Sequence, residues 1–375
     1  MNKNGRFPNN TLPPLYHGTR RYNLSESTNK DLRLGQLIDL MGLDVLRDIP
    51  LGYTDPTEGV LELRQEIGRR WGVPAEWIVI TQGANFALYL VASELEAGHA
   101  IIPAPYFKQS YNTLLVHGWD VQVVQNELDD DYRLNIDAIA AALTPQTRLV
   151  SLASPQNPSG VSVPLATLER LVSIMADKAP NAYLLVDETY REAAYRTENI
   201  LPSAAMLSPR VITCSSVSKA YGTPDLRVGW LTLPDATMRK AIIRAKENIV
   251  IADAGLTQRL ATVLLQNGET ILEQQRQNAG PMLAIVQAWQ ASEVHRLDWV
   301  PPDAGALCCM RLNRKRFSEA DLPLFWERIV AKETFMRPGL LFGSDNRHFR
   351  LGFGHVTQDE LTQGLANITA VLESL

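Results

Sequence analysis

The residues of this chain best suited to chemistry surround one lysine, Lys219. Ser216 and Ser218 come shortly before it, and Arg227 follows eight positions later, between two segments predicted to be strands. A lysine that forms a Schiff base with an aldehyde must be able to lose its proton. Hydroxyl and guanidinium groups are donors that bind phosphate. The spacing therefore predicts a lysine that binds a phosphate-bearing aldehyde, although an isolated lysine would more simply be a solvated surface residue.

A second motif is the turn Gly83-Ala84-Asn85, which follows a predicted strand and begins a predicted helix. The first N–H groups of a helix have no partner within the helix, and the helix dipole adds positive charge at that end. Such an end can bind phosphate. Many turns of this kind bind nothing, so the motif alone is a weak indication.

Two further polar motifs follow predicted strands. Asn157 lies in a proline-rich loop, at the strand end where ligands collect in open parallel sheets, although an ordinary turn is the alternative. Asp187 comes after an apolar run, where an unpaired acid is costly to bury. A carboxylate there could raise the pKa of a pyridine nitrogen and keep it protonated. Tyr190, three residues on, could donate a hydrogen bond to an oxygen of the same ring.

The remaining pattern predicts the elements that position these motifs. From residue 60 onward, helical and strand-like segments alternate, which favours an α/β fold with a mostly parallel sheet covered by helices. Helices are predicted over 60–71, 84–96 and much of 240–290, and strands over 77–81, 100–102, 121–124, 149–153, 183–186, 211–214, 228–233 and 348–353. The predicted units are an N-terminal segment (1–48) that packs on the small domain and the active site, a large domain (49–265) and a smaller α+β domain (266–375).

Composition excludes several classes of protein. The chain has 375 residues, 45% of them hydrophobic, and a net charge of −5, which argues against a nucleic-acid or anionic-membrane surface. No apolar stretch has the length of a signal peptide or a membrane span. The three cysteines lack metal spacing and are predicted to be reduced and buried, and the six histidines are scattered, so no metal site is expected. We expect a cytoplasmic enzyme.

In this order, the four motifs resemble those of the pyridoxal 5'-phosphate (PLP) enzymes of fold type I, the class I and II aminotransferases. The resemblance extends from about residue 53 to residue 350 and implies PLP as the cofactor. It implies that Lys219 binds PLP covalently and later moves the proton on the substrate's Cα. Asp187 would pair with the pyridine nitrogen, and Asn157 and Tyr190 would bind the ring oxygen.

The same resemblance assigns further contacts. The phosphate would be held by Gly83, Ala84, Asn85, Ser216, Ser218 and Arg227. Phe107 would stack on the pyridine ring, with Tyr106 as the alternative. Tyr53 would reach the phosphate of a neighbouring subunit, which implies a homodimer. Arg350 would bind the substrate's α-carboxylate with two parallel hydrogen bonds, unless it forms a structural salt bridge.

The prediction of the reaction rests on the polar stretch 22–31. Transaminases of this family commonly have a short glycine-containing loop there. That stretch, with segments 34–37, 51–55, 218–222 and 226–230, resembles the capreomycidine synthase group, which dehydrates a hydroxylated arginine and closes a guanidine ring. The resemblance implies water loss from a hydroxy-L-arginine, with the 4-hydroxy compound favoured, and a cyclic arginine such as L-enduracididine. Glu26 and Asp31 are candidates to bind the guanidinium, or are solvated loop charges.

Two alternatives remain at this stage. The first is an ordinary aminotransferase, which exchanges an amino group with an α-keto acid. The second is an effector-binding domain of a transcription regulator, which reuses the fold behind a basic helix-turn-helix module. Only about 20 polar residues precede the first family-like segment, which disfavours the second alternative.

Overall fold

The structure, a computed structural model, describes residues 7–8, 21–53 and 55–375, and its larger part is built on one seven-stranded sheet. The strands are β2 Ile78–Thr81, β3 His99–Ala104, β4 Asp120–Gln125, β5 Thr147–Ala153, β6 Tyr183–Asp187, β7 Val211–Ser216 and β8 Gly229–Thr232, in the order β2-β8-β7-β6-β5-β3-β4. All neighbours are parallel except β8, which runs antiparallel to β2 and β7.

Helices cover both faces of this sheet, which explains why its central strands β6 and β7 are buried along their whole length. The helices among the described residues are α1 Leu34–Met41, α2 Leu43–Arg47, α3 Leu61–Trp71, α4 Ala84–Glu94, α5 Lys108–Val116, α6 Ile136–Ala142, α7 Leu165–Lys178, α8 Ala236–Val250, α9 Gly255–Gln266, α10 Gly268–Ser292, α11 Asp321–Ala331 and α12 Gln358–Ser374. Successive side chains of β2 alternate between the faces: Ile78 and Ile80 pack in the cluster with α3 and α9, and Val79 packs in the cluster with α4.

The smaller part of the molecule follows the long helix α10. Four antiparallel strands form its sheet in the order β12 (Arg337–Pro338), β13 (His348–Gly352), β10 (Leu307–Leu312) and β9 (Leu297–Trp299). The hydrophobic cluster beneath this sheet contains apolar residues of α10, α11 and α12, and it also includes Leu24 from the N-terminal segment.

Residues 22–32, which we call the N-terminal strap, connect the small sheet to the loop that carries Lys219. At one end, β1 (Tyr22–Asn23) pairs with β11 (Thr334–Phe335), and the N–H of Gly352 donates to the carbonyl of Leu24 at 2.8 Å. At the other end, the N–H of Leu32 donates to the carbonyl of Gly222 at 2.9 Å. The strap thus packs against both regions, while the domain boundaries themselves stay predictions.

The predicted fold class is confirmed, and each predicted strand coincides with a strand of the structure to within a few residues. Cys214, Cys308 and Cys309 are free and buried. None of the helices in the described ranges combines the length and apolar character that crossing a membrane requires.

The close packing of the strap on β13 generates a stability prediction. A Cβ at Gly352 would lie 1.7 Å from the carbonyl oxygen of Glu26, so Gly352→Ala must displace the strap. We expect the free energy of unfolding to fall by about 1–3 kcal/mol in urea titrations. The control is Gly280→Ala in α10, where a Cβ meets nothing within 4 Å and a change of about 0 to +1 kcal/mol is expected. Equal stabilities of the two variants would contradict this packing.

Candidate active site

A cleft of about 1210 Å³, counting space open to solvent, lies at the carboxyl ends of the parallel strands β5, β6 and β7. It lies between the large sheet, the small sheet and the strap. The described residues that line it include Glu26, Ser27, Ala84, Asn85, Phe107, Asn157, Asp187, Tyr190, Ser216, Ser218, Lys219, Arg227 and Arg350. Most of the residues named from the sequence are therefore brought together.

Lys219 lies at the centre of this group, with its Nζ 3.3 Å from the hydroxyl oxygen of Ser27. Burial lowers the pKa of Lys219 to about 8, and the positive charges of Arg350 and Arg227 act in the same direction. The carboxylates of Glu26 and Asp187 oppose them. A substantial fraction of this amine is therefore neutral near pH 8, which is the form that attacks a carbonyl carbon.

One end of the cleft is lined by hydrogen-bond donors that suit a phosphate group. The first residues of α4, Ala84 and Asn85, face the cleft, where the N–H groups of a helix start are available. Gly83 adopts a φ of 78°, and a Cβ there would lie 2.5 Å from Nη2 of Arg227. Because glycine occupies this position, the guanidinium of Arg227 can lie directly beside the helix start. Ser216 and Ser218 add hydroxyl groups to the same end.

At the end of β6, Asp187 places a buried carboxylate in the cleft. Its Oδ1 accepts a hydrogen bond from the N–H of Thr189 at 3.0 Å. Burial raises the pKa of Asp187, and its hydrogen bonds and the charge of Lys219 counteract that effect. A buried acid of this kind gains most from a cationic partner, because an unpaired buried charge is costly.

A chain of hydrogen bonds joins Arg350 to Lys219. Nη1 of Arg350 donates to Oδ1 of Asn157 at 2.9 Å, and Nδ2 of Asn157 lies 3.5 Å from the hydroxyl of Tyr190. Tyr190 in turn donates to Ser27 at 2.9 Å, and Ser27 contacts Lys219. Nη2 of Arg350 donates to the carbonyl of Ser25 at 2.5 Å, which ties the arginine to the strap.

These residues fit PLP. The helix start, the two serines and Arg227 match a phosphate, while Asp187 matches a pyridinium nitrogen. Lys219 supplies the amine that would bind the aldehyde. Nε of Arg350 is buried and has no hydrogen-bond partner among the described residues, so this arginine has a donor left for an anionic ligand.

The structure separates the two aromatic candidates for ring stacking. Phe107 lines the cleft. Tyr106 instead stacks on Tyr111, with ring centroids 5.0 Å apart, and packs closely against Gly343. Of the two candidates, Phe107 is therefore the one that faces the cleft, and its stacking on the pyridine ring stays a prediction.

Two predicted site residues lie outside the cleft. Tyr53 is 86% exposed, so within one chain it does not contact the other site residues. The carboxylate of Asp31 is exposed and lies 3.7 Å from Nδ1 of His355. The proposal of Asp31 as a guanidinium ligand is therefore corrected: the strap has already left the cleft at this residue and follows the loop after Lys219.

Sequence reasoning did not identify five polar residues of the cleft: Ser27, Lys108, Gln109, Thr189 and Arg337. Ser27 directly follows the candidate Glu26 in the strap, so the position next to Glu26 was a usable signal. Arg337 pairs with Arg350 across β12 and β13, a relation that only the sheet register reveals. Burial and the charge of Arg337 lower the pKa of Lys108.

Comparisons with known proteins agree with this geometry. The sequence model of the family described as aminotransferase class I and II matches residues 49–368. Capreomycidine synthase of Streptomyces vinaceus is 25% identical over 302 residues, which are 80% of this chain and 75% of that protein. Arginine–pyruvate transaminase of Pseudomonas aeruginosa is 33% identical over 193 residues, 49% of this chain and 48% of that protein.

Solved structures show the same fold. The PLP-dependent cyclase OrfR superposes with a TM-score of 0.85 at 22% identity and covers 98% of both chains. A PLP-dependent aminotransferase from Streptococcus suis superposes with a TM-score of 0.82 at 24% identity, covering 94% of this chain and 93% of that one.

The fold and the site thus define an enzyme that depends on PLP. The chain belongs to the class I and II aminotransferase family, and both cyclases and transaminases are among its relatives.

The lowered pKa of Lys219 predicts how the apo-protein captures its cofactor. Because only the neutral amine reacts, the rate of covalent PLP attachment, followed by absorbance, should rise with pH to a plateau with its midpoint near the lysine's pKa of about 8. An N-acetyl-lysine amide, with an ordinary pKa of about 10.4, provides the control for the cofactor's own titration. A midpoint near that of the control would contradict the effect of burial on Lys219.

Proposed function

We propose that this enzyme eliminates water from a hydroxy-L-arginine, preferentially the 4-hydroxy compound, and closes the guanidine to form a cyclic arginine such as L-enduracididine. The observation that carries the proposal is the position of Glu26. The strap brings this carboxylate into the cleft, near enough to Lys219 and Arg350 to counteract the effect of burial on the pKa of both. Apart from Asp187, it is the acidic side chain among the described cleft residues.

In this proposal, each residue acts on a different part of the substrate. Arg350 binds the α-carboxylate, because its guanidinium faces the cleft and has an unpartnered donor. Glu26 binds the guanidinium of the substrate, for which a planar carboxylate is a matching partner. Lys219 accepts the protons that leave the substrate's carbon chain. PLP, when bound, supplies the electron-withdrawing group that makes loss of those protons feasible.

Ring closure benefits from the same arrangement. Once Glu26 and Arg350 hold the two ends of the substrate, the guanidine nitrogen lies near the carbon that has lost its hydroxyl. Intramolecular attack then proceeds at a high effective concentration. Similarity to capreomycidine synthase over most of both chains supports this proposal.

The test is mass spectrometry of the PLP-loaded protein with 3-hydroxy- and 4-hydroxy-L-arginine, supplied separately and without a keto acid. We expect many turnovers that each remove one water and retain the amino group, most readily with the 4-hydroxy substrate. The alternative function is ordinary transamination, which similarity to arginine–pyruvate transaminase over about half of each chain favours. A keto product that forms in one equivalent, and in many once an α-keto acid is added, would establish that alternative and contradict the cyclase.

Glu26→Gln tests the assignment of the guanidinium. The amide keeps the size but removes the charge, so we expect KM for hydroxy-L-arginine to rise about 10- to 100-fold, as when a charge-assisted hydrogen bond worth about 1.5–3 kcal/mol is lost. The affinity for PLP should stay the same. The matched control is Asp31→Asn, a neighbouring acid outside the cleft, which should leave KM unchanged. Unchanged kcat and KM in Glu26→Gln would remove Glu26 from the substrate site.

We also propose a homodimer in which Tyr53 contacts the PLP phosphate of the partner subunit. The exposed apolar residues Leu34, Leu40, Leu43, Leu51, Tyr53, Ile249, Ile251 and Leu256 support it. They lie on neighbouring segments, because α1 packs on α9 and Thr57 donates to the carbonyl of Ile251. Apolar faces of this kind mark protein interfaces. A monomer in sedimentation experiments at micromolar concentration would contradict the dimer.

A further inference from the structure

Ser27 lies in the cleft, and none of the substrate contacts described above involves it. It is 4% exposed, and it lines the cleft beside Glu26. Its hydroxyl oxygen lies 2.9 Å from the hydroxyl of Tyr190 and 3.3 Å from Nζ of Lys219. A buried hydroxyl in contact with the amine that moves the substrate's protons can itself take part in proton transfer.

The strap holds this hydroxyl in place. On one side of Ser27, the carbonyl of Ser25 accepts a hydrogen bond from Arg350. On the other side, Nδ2 of Asn29 donates to the carbonyl of Ala220 at 3.1 Å, next to Lys219. Ser27 is therefore fixed relative to both the carboxylate-binding arginine and the lysine, as a catalytic group must be.

The two neighbours of Ser27 are both donors. Burial raises the pKa of Tyr190 to about 12, so this phenol keeps its proton and, where no ring oxygen takes its hydrogen, donates a hydrogen bond to Ser27. The ammonium form of Lys219 has only donors. The two lone pairs of the serine oxygen can accept from these groups, and its own hydrogen is then left to donate to a third partner in the cleft.

We propose that Ser27 is a catalytic residue that passes a proton from Lys219 to the hydroxyl group leaving the substrate. This inference rests on the proposed function. Lys219 takes a proton from the carbon next to the C–O bond, and the electron pair of that C–H bond becomes the new C=C bond. The C–O electron pair leaves with the oxygen, which takes the serine's proton and departs as water. The ammonium of Lys219 then returns a proton to Ser27, so the step needs no oxidant or reductant.

This proton relay, from Lys219 through Ser27 to the leaving oxygen, carries a proton to a position that the lysine itself does not reach. Lys219 removes a proton from one carbon, whereas the leaving oxygen is attached to the neighbouring carbon and extends in a different direction. A hydroxyl 3.3 Å from Nζ lets the same proton reach a second position without movement of the lysine. Loss of hydroxide without protonation would be much slower, and general acid catalysis typically contributes about 100- to 10,000-fold.

The test compares Ser27→Ala with Ser27→Thr, which keeps the hydroxyl, and with Thr28→Val, which removes the next buried hydroxyl outside the cleft. Two rates are measured for each PLP-loaded protein: water loss from hydroxy-L-arginine, and exchange of the Cα proton of L-arginine with deuterium oxide. In Ser27→Ala we expect water loss to fall at least about 100-fold and Cα exchange to change less than about 3-fold. Ser27→Thr should recover most of the lost rate, and Thr28→Val should match the wild type.

A second readout does not depend on turnover. Because the serine accepts a hydrogen bond from the ammonium form, its removal should lower the pKa of Lys219 in the apo-protein by about 0.7 unit, as expected for a hydrogen bond worth about 1 kcal/mol. The pH midpoint of covalent PLP attachment reports this change. The other charged groups that act on Lys219, namely Arg350, Glu26, Arg227 and Asp187, are the same in both proteins.

The outcomes separate the two proposals. If the wild type eliminates water and Ser27→Ala does so at the same rate, the relay through Ser27 is overturned and the proposed function stands. Equal loss of water elimination and of Cα exchange in Ser27→Ala would also overturn it, because the serine would then only position Lys219. No water loss from either hydroxyarginine by the wild type would overturn the proposed function and the relay with it.

Discussion

The backbone hydrogen bonds between the strap and the lysine loop are the interaction on which the rest of the site depends. Leu32 donates to Gly222, and Asn29 contacts the carbonyls of Lys219 and Ala220 through its backbone and side chain. The other end of the strap pairs with β11, and the carbonyl of Leu24 accepts a hydrogen bond from Gly352 of the small sheet. One short segment therefore connects the loop that carries Lys219, after β7 of the large sheet, to the small sheet that carries Arg350.

The second constraint is the balance of charge in the cleft. Among the described residues that line the cleft, basic side chains outnumber acidic ones. The acids are Glu26 and Asp187, and the basic residues are Lys108, Lys219, Arg227, Arg337 and Arg350. Burial and the charges of Arg350 and Arg227 lower the pKa of Lys219. The excess of positive charge in the cleft also favours anionic ligands such as phosphate and carboxylate. A cationic guanidinium would be repelled over much of this surface, which supports the proposal that Glu26 binds the guanidinium of the substrate.

Much of the fold and of the cofactor site was predictable from the sequence, because the information is local. Gly83, Asn157, Asp187 and Lys219 each come shortly after a predicted strand. The carboxyl ends of parallel strands lie at one edge of a sheet, so residues that follow such strands meet there. Asp31 was misplaced because nothing local in a polar stretch shows where the chain leaves the cleft. Ser27 was missed because its contact with Lys219 joins residues that are far apart in the sequence. Arg337 was missed because only the register of β12 and β13 places it opposite Arg350.

We propose that the strap adapts a general PLP site to an arginine-like substrate. A crystal structure of the PLP-loaded protein with L-arginine, which lacks the leaving hydroxyl and so cannot lose water, would test this role. We expect the α-carboxylate to lie on Arg350 and the guanidinium to lie within hydrogen-bond distance of Glu26. A guanidinium that points to solvent, with Glu26 making no contact to it, would contradict the proposed role of the strap.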